Sequence, residues 1–182
     1  CAQHHIPFVV LDRPNPIGGE EVSGNLLDPA FASFVGRYPI PVRYGLSCGE
    51  LAQLFNVEYG IGVELHIVKM QGWQRRHYWE DTGLPWVPPS PNMPTVETAV
   101  VYPGTCFFEG TNLSEGRGTT KPFEQFGAPF VDGVQLAAAL AEQQLPGVLF
   151  RPVFFQPSAS KYADELCQGV QLHVTDRRVF DP

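Results

Sequence analysis

A polar segment from Glu109 to Glu124 concentrates the residues of this chain that could carry chemistry. It contains acids, an arginine, hydroxyl and amide side chains, and the glycines Gly110, Gly116 and Gly118. Carboxylates can move protons, a guanidinium can bind an anion, and glycine lets the backbone approach a ligand closely. No apolar periodicity runs through the segment, which predicts a loop of the kind that carries binding or catalysis. Composition alone leaves a flexible, solvated surface loop as the alternative.

A second polar segment, Pro85–Thr95, precedes the first and is rich in proline. Its Ser90 and Asn92, like Asn112 and Ser114 of the first segment, are suited to form hydrogen bonds with a polar ligand. Asn and Ser between prolines and glycines also often bond to their own backbone in turns, and this alternative stays open. Two rigid polar loops in one compact chain predict a lined cleft.

The first half of the chain, which must position one side of that cleft, has the pattern of an α/β unit. Ile6–Asp12 is a short apolar run that ends in an acid, as in a fully buried parallel strand with a polar residue at its ligand-binding end. A helix is predicted over Cys48–Tyr59, opened by Ser47 or Gly45, and a second strand over Val63–Met70. This order predicts a parallel sheet with a crossover helix.

The second half predicts a mixed α+β lobe. Its expected elements are helices over Thr95–Tyr102 and Val131–Gln144, and strands over Cys106–Phe108, Leu149–Phe155 and Val170–Val174. The proline-rich stretch is the predicted boundary, with a Rossmann-like lobe over residues 1–88 and the second lobe over residues 89–182. The expected fold class is therefore α/β.

Composition excludes several kinds of protein. The 182 residues suffice for one full core or two small lobes, and a net charge of −7 without clustered Lys and Arg argues against a nucleic-acid partner. No run approaches 18 apolar residues, so no membrane span is predicted. The four cysteines are too widely spaced for a zinc site and leave disulfides undecided. Motifs of dinucleotide, triphosphate and serine-hydrolase sites are lacking.

Seven blocks of sequence carry a family resemblance, and they follow one another in a single order between Ile6 and Phe180. They are Leu11–Gly19 (LDRPNPIGG), Gly45–Ala52 (GLSCGELA), Gly72–Trp73, Pro89–Pro94 (PSPNMP), Tyr102–Gly104 (YPG), Glu109–Thr119 (EGTNLSEGRGT) and Gly169–Asp176 (GVQLHVTD). Through these blocks the chain resembles the exo-β-N-acetylmuramidases of the NamZ type. The resemblance implies a glycoside hydrolase that removes terminal β-linked N-acetylmuramic acid from peptidoglycan fragments. It further implies muropeptides or disaccharides as partners, no metal or organic cofactor, and a periplasmic or secreted location.

The same resemblance implies that the chain is an internal fragment that ends a Rossmann-like lobe and continues into the second lobe. The family's Glu-His-Gly triplet, which is thought to be catalytic, precedes the matched region and occurs nowhere in this sequence. We therefore expect the chain to supply part of an active-site cleft, with the principal acid elsewhere. The alternative is a non-catalytic cell-wall sugar-binding protein on the same scaffold.

Glycoside hydrolysis needs a proton donor and usually a second carboxylate. Glu109 is the catalytic candidate in this chain, as a supporting acid or base, and the alternative is that it caps a turn or pairs with Arg117. N-acetylmuramic acid carries a lactyl carboxylate, which the fork of a guanidinium matches. Arg117 is the first choice for that contact, with Arg43 and Arg13 behind it. The remaining candidates for substrate binding are Asn112, Ser114, Asn92, Ser90 and Asp12, and the remaining acids are Glu115, Glu124 and Asp176.

Histidines are expected to play smaller parts. His66, inside an apolar strand, predicts a hydrogen-bonded core residue rather than a metal ligand. His4 and His5 predict a solvated terminus. His173 shares a strand face with Gln171 and Thr175, which predicts that it faces the cleft.

Overall fold

The computed structural model describes residues 1–182 and divides them into two compact units, Cys1–Pro85 and Trp86–Pro182. The first unit holds four strands and one α-helix: β1 (Phe8–Leu11), β2 (Ser23–Leu26), β3 (Pro41–Arg43), α1 (Cys48–Glu58) and β4 (Leu65–Val68). Short 3-10 helices span Ala2–His4, Pro29–Phe31 and Trp79–Thr82.

Strands β1 and β4 pair in parallel, with Phe8 opposite Leu65 and Leu11 opposite Val68, and α1 is the crossover between them. Strands β2 and β3 form a separate antiparallel ribbon. The predicted parallel pair and its crossover helix are therefore confirmed. No helix in the chain is long and apolar enough to cross a bilayer.

Helix α1 begins where the sequence predicts because Ser47 and Glu50 form a capping box. The Ser47 hydroxyl accepts a hydrogen bond from the Glu50 N–H, and the Glu50 carboxylate accepts one from the Ser47 N–H. In the last turn of the helix, the Asn56 side chain bonds both the N–H and the carbonyl of Val63. These contacts fix the turn that leads into β4.

The prediction that β1 is fully buried is wrong. Phe8, Val9 and Leu11 are exposed, because β1 pairs with β4 alone and the contact of this pair with α1 leaves these side chains uncovered. The expectation for His66 is also wrong: its ring is exposed, with Nε2 2.9 Å from the Glu64 carboxylate. Apolar neighbours in the sequence predict that a residue is buried only when another element of the fold covers that strand.

The second unit contains α2 (Val96–Thr105), β5 (Gln125–Ala128), α3 (Gly133–Glu142), β6 (Val148–Phe155) and β7 (Cys167–Val174). The strands form one antiparallel sheet in the order β5-β7-β6, and α3 packs against β6 and β7. The α/β fold class is confirmed. The predicted helices at 95–102 and 131–144 and the last two predicted strands are present with small shifts at their ends.

The core of the second unit is built from buried apolar side chains of α2, of the sheet and of the segment between them. Among them are Val96, Val100, Val101, Phe123, Phe126, Val170 and Leu172. Strands β5 and β7 approach so closely at the pair Gly127 and Gly169 that neither position has room for a side chain. Glycine is required there by the close approach of two backbones.

The predicted strand at Cys106–Phe108 is wrong, because α2 continues as a 3-10 helix over Cys106–Gly110. The Cys106 N–H still bonds the Tyr102 carbonyl, so the helical ladder carries on past Thr105 instead of opening into an extended segment. Consequently, Glu109 stands on a helical turn. All four cysteines are free thiols.

Candidate functional site

The polar loop that follows Glu109 is held by its own backbone and is largely buried. The N–H and carbonyl of Ser114 pair with Gly127 at 2.7 and 3.0 Å, and the Phe123 N–H donates to the Glu115 carbonyl at 2.6 Å. Ser114, Glu115 and Gly116 are buried. The interpretation as a flexible, solvated loop is therefore wrong, and the loop is a fixed part of the second unit.

Two glycines make this path possible. Gly116 and Gly118 have φ values of +81° and +77°, where L-residues other than glycine are strained. A side chain at Gly118 would also lie 2.5 Å from the backbone nitrogen of Ala159, and one at Gly116 would lie 2.7 Å from the Gln125 carbonyl oxygen. Their backbone positions bracket Arg117 and fix where its side chain starts.

Arg117 lies between two carboxylates and above an aromatic ring. Its Nε is 3.1 Å from Glu109 Oε1 and 3.2 Å from Glu115 Oε1, and its Nη2 also bonds Glu109. The guanidinium carbon lies 5.0 Å from the centre of the Phe123 ring. Its Nη1 makes no hydrogen bond within the protein, and the side chain is 32% exposed. Arg117 is thus oriented by the protein while one nitrogen stays open to a ligand.

Phe123 provides the floor beneath Arg117. Its side chain is 1% exposed, its backbone has a φ of +63°, and its ring meets Tyr102 edge-on with 4.8 Å between ring centres. Burial raises the pKa of the Tyr102 hydroxyl, and the nearby Cys106 and Glu109 act in the same direction. Tyr102 therefore remains a protonated hydroxyl beside the cluster at neutral pH.

Lys161 joins the segments that carry Glu109 and Arg117. Its ammonium donates to the carbonyls of Phe108, Glu109 and Leu113 at 2.7, 3.0 and 2.9 Å. It also lies 3.4 Å from Glu115 Oε2, a buried oxygen that accepts no hydrogen bond. Sequence reasoning missed Lys161, because it lies about 50 positions away from its partners and no local pattern indicates that contact.

We call Glu109, Glu115, Arg117 and Lys161 the Arg117 cluster. It confirms the alternative in which Glu109 pairs with Arg117. In this arrangement Nη1 is the guanidinium nitrogen without a hydrogen bond to the protein, and it is the donor that a ligand carboxylate would find unoccupied.

The small polar candidates divide between turns and surface. Ser114 Oγ accepts a hydrogen bond from the Gly116 N–H at 3.2 Å, and Ser90 Oγ accepts one from the Asn92 N–H at 3.2 Å. Both contacts are the turn chemistry that the sequence left open. Asn112 is exposed, and the hydroxyl of Tyr162 donates to its backbone carbonyl at 2.7 Å. Ser90 and Asn92 make no hydrogen bond to the cluster.

In the first unit, Asp12 lies at the end of β1 as the sequence predicts, and it holds the start of α1. Its carboxylate accepts hydrogen bonds from the Gly49 N–H at 2.7 Å and from the Ser47 hydroxyl at 2.9 Å. A cleft of about 250 Å³ opens beside it, also lined by Lys69 and Trp73. The indole N–H of Trp73 is buried without a partner.

The two other arginine candidates also lie in the first unit. The Arg43 guanidinium is 6% exposed, pairs with Glu21, and donates to the Ile17 carbonyl and the Tyr78 hydroxyl at 3.2 and 3.3 Å. Arg13 donates to the Asp12 carbonyl at 3.0 Å. Arg43 is therefore engaged within the fold.

A larger cleft, of about 610 Å³, lies in the second unit around Glu124. The Glu124 carboxylate is buried and accepts hydrogen bonds from the Thr98 hydroxyl at 2.6 Å and from Lys121 at 2.8 Å. His173 is exposed and lines this cleft together with Asp176. No group of His, Cys, Asp and Glu side chains in the chain is arranged to hold a metal ion.

Comparison with known proteins matches the chain to two models of one family. The family model described as exo-β-N-acetylmuramidase NamZ, N-terminal, matches residues 1–97, and the C-terminal model of the same family matches residues 100–182. The peptidoglycan β-N-acetylmuramidase NamZ of Bacillus subtilis strain 168 is 56% identical over 179 residues. That match covers 98% of this chain and 43% of the Bacillus protein.

Two solved structures from Bacteroides fragilis NCTC 9343, both DUF1343 family proteins, share the fold. One superposes with a TM-score of 0.91 at 42% identity and the other with 0.77 at 30% identity. They match 99% and 98% of this chain, which covers 48% of each of them. The chain thus spans less than half the length of the relatives it matches. With both family models matched in order along nearly all of its residues, the chain belongs to the NamZ family.

Proposed function

We propose that this chain forms part of an exo-acting glycoside hydrolase that removes terminal β-linked N-acetylmuramic acid from peptidoglycan fragments. The observation that carries the proposal is the 56% identity, over 98% of the chain, to a protein named as a peptidoglycan β-N-acetylmuramidase. The rigid Arg117 cluster supports it with a charge arrangement suited to an anionic sugar. Water is the second substrate of such a reaction.

Arg117 is the proposed contact for the lactyl carboxylate that distinguishes N-acetylmuramic acid from N-acetylglucosamine. Its open Nη1 and its fixed orientation against Glu115 and Phe123 support this role. A guanidinium that is already oriented loses less side-chain entropy when it binds a carboxylate. Asn112, exposed two residues before Ser114, is placed to hydrogen-bond a sugar hydroxyl or acetamido group.

Glu109 is the proposed supporting acid or base. It is the carboxylate of the Arg117 cluster that solvent reaches, with a side chain 42% exposed, whereas the Glu115 side chain is 3% exposed. The principal proton donor would come from the part of the protein that precedes this chain, as the family resemblance implies. Replacing Glu109 by Gln should then slow turnover in the full-length protein.

The other residues predicted to bind substrate have different positions, and each would contribute to binding in its own way. Ser114 and Ser90 shape the two polar loops through their turn bonds, and Asn92 extends the second loop. Asp12 borders its own cleft in the first unit. Arg43 would act through the segment it holds, because its guanidinium is buried against Glu21. The substrate class also makes a periplasmic or secreted location part of the proposal.

The experiment is digestion of a disaccharide with N-acetylmuramic acid at its non-reducing end by the full-length protein. Mass spectrometry should detect free N-acetylmuramic acid, and the matched disaccharide with N-acetylglucosamine at that end should stay intact. Binding of the first disaccharide without cleavage would reject the hydrolase and leave a cell-wall sugar-binding protein. Cleavage of both at equal rates would reject recognition of the muramic sugar.

A further inference from the structure

The guanidinium of Arg117 already holds a carboxylate that solvent reaches, since the Glu109 side chain is 42% exposed. Glu109 Oε1 takes both Nε and Nη2, while Nη1 stays open. We infer that Glu109 is an exchangeable occupant of this edge, and that the carboxylate of an N-acetylmuramic acid residue replaces it when the sugar binds. This inference rests on the proposed function and describes how the same site admits the carboxylate of its substrate.

The difference in burial decides which carboxylate gives way. Glu109 is 42% exposed, and an exposed ion pair contributes little because water and salt compete with it. Glu115 is 3% exposed, with one oxygen 3.2 Å from Arg117 and the other 3.4 Å from Lys161. Removing its partner would leave a buried charge uncompensated, which is strongly unfavourable. Glu115 therefore stays in place and Glu109 moves.

Charge balance points the same way. The two acids of the Arg117 cluster match its two bases, so the cluster is formally neutral. A ligand carboxylate added beside Glu109 would place a third negative charge against two positive ones, and like charges at close range repel. The excess is relieved when the Glu109 side chain turns to solvent.

The backbone can stay fixed during this exchange. Lys161 donates hydrogen bonds to the carbonyls of Phe108, Glu109 and Leu113. These bonds hold the backbone of the 3-10 turn that carries Glu109. Only side-chain torsions of Glu109 need to change, and for an exposed side chain these are fast. The released carboxylate is then free for its proposed role as acid or base.

Such an exchange makes Glu109 an internal competitor that lowers the affinity of Arg117 for a carboxylate ligand. A sugar without a carboxylate leaves Glu109 bound to Arg117 and gains nothing from the guanidinium. A sugar with a carboxylate gains the contact but must displace Glu109, so it binds less tightly than it would to an empty Arg117. Glu109→Gln should therefore bind the acidic sugar more tightly and still turn over more slowly.

The test is calorimetric titration of the full-length protein with N-acetylmuramic acid and, separately, with N-acetylglucosamine. The proteins are the wild type, Glu109→Gln, and Glu142→Gln, which removes one exposed acid at the end of α3 in the same unit. We expect Glu109→Gln to bind N-acetylmuramic acid about 2- to 5-fold more tightly than the wild type. Glu142→Gln should match the wild type, and affinity for N-acetylglucosamine should be the same in all three.

Weaker or unchanged binding of N-acetylmuramic acid by Glu109→Gln would overturn the exchange, as would failure of the wild type to bind it. Turnover of the disaccharide is scored separately. A wild type that binds the sugar but cleaves nothing would reject the proposed hydrolase and still test the exchange through the Gln variant. A wild type that cleaves, with a Gln variant that binds no more tightly, would reject the exchange alone.

Discussion

The guanidinium of Arg117 rests on the ring of Phe123, a buried residue whose backbone occupies the left-handed region at a φ of +63°. A bulky residue in that region costs about 1–3 kcal/mol and persists only where surrounding contacts enforce it. Here the Phe123 N–H bonds the Glu115 carbonyl, and the ring packs on Tyr102. Local strain is thus coupled to the placement of the one cation that we assign to substrate.

The first prediction concerns that ring. Phe123→Leu keeps an apolar side chain but removes the aromatic face under Arg117, and should lower stability by about 1–2 kcal/mol. Calorimetry of the full-length protein should show Tm falling by about 2–8 °C. Phe130→Leu, at an exposed ring of the same unit, is the control and should leave Tm nearly unchanged. Equal Tm values for the two variants would contradict the assigned role of Phe123.

The second prediction concerns the close packing at Gly118. Gly118→Ala must place a methyl group 2.5 Å from the Ala159 nitrogen at a φ of +77°, so we expect a loss of about 2 kcal/mol. Gly110→Ala is the matched control, since its added methyl meets nothing within 4 Å and its φ is not positive. Thermal unfolding of both variants checks this. A Tm for Gly118→Ala as high as that of Gly110→Ala would show that the loop can relax.

The third prediction separates a positioning role for Lys161 from a merely structural one. Lys161→Met leaves three carbonyls and the buried Glu115 without their cation. It should lower the free energy of unfolding by about 3 kcal/mol. It should also weaken binding of N-acetylmuramic acid at least about 10-fold, because Glu115 would no longer orient Arg117. Affinity for N-acetylglucosamine, measured below the unfolding transition, should change much less.

Arg151→Met is the control for Lys161. It removes a cation of the same unit whose exposed side chain bonds only Gln171, at 2.5 Å, and it should leave both affinities unchanged. Lys161→Arg keeps the charge and should recover part of the binding. If Lys161→Met weakened the binding of both sugars equally, the role of Lys161 would be structural only.

Structural features that depend on nearby residues could be predicted from the sequence. The cap at Ser47 and the crossover between β1 and β4 follow from short patterns, as does the cap at Asp132, whose carboxylate accepts the N–H groups of Val134 and Gln135. The glycines around Arg117 similarly predict a tight loop, and Gly116 and Gly118 have the positive φ values that such a loop needs. Each of these signals lies within a few residues of the structure that it specifies.

Features that depend on distant partners were not predictable. Cys106–Phe108 has the composition of a strand, but the helical hydrogen bonds of α2 continue into a 3-10 helix over these residues. Lys161 finds its three carbonyls across about 50 residues. Val9 and Leu11 are exposed because no element covers them. The sequence of β1 itself does not show whether another element will pack on that strand.

The fourth prediction concerns pH. Hydrogen bonds from Arg178, first from its side chain and then from its N–H, lower the pKa of Asp176 to about 2, from an ordinary 3.8. Because the pKa of Asp176 is lower in the folded state than in the unfolded state, ionisation of this carboxyl stabilises the fold. This stabilisation is fully present above about pH 4 and is lost as pH falls through about 2. Carboxyl NMR titration should give a midpoint near 2 for Asp176, and Arg178→Ala should return it towards 3.8. A wild-type midpoint near 3.8 would contradict the assignment.

The central claim is that Arg117 recognises the carboxylate of a muramic sugar in a glycoside hydrolase. The most direct test is chromophore release from an aryl β-N-acetylmuramide and from the matched β-N-acetylglucosaminide, by full-length wild type and by Arg117→Lys. We predict release by the wild type from the muramide only, with kcat/KM about 100-fold lower in Arg117→Lys, or about 2.7 kcal/mol of transition-state stabilisation. Equal cleavage of both glycosides by the wild type, or undiminished cleavage of the muramide by Arg117→Lys, would contradict the claim.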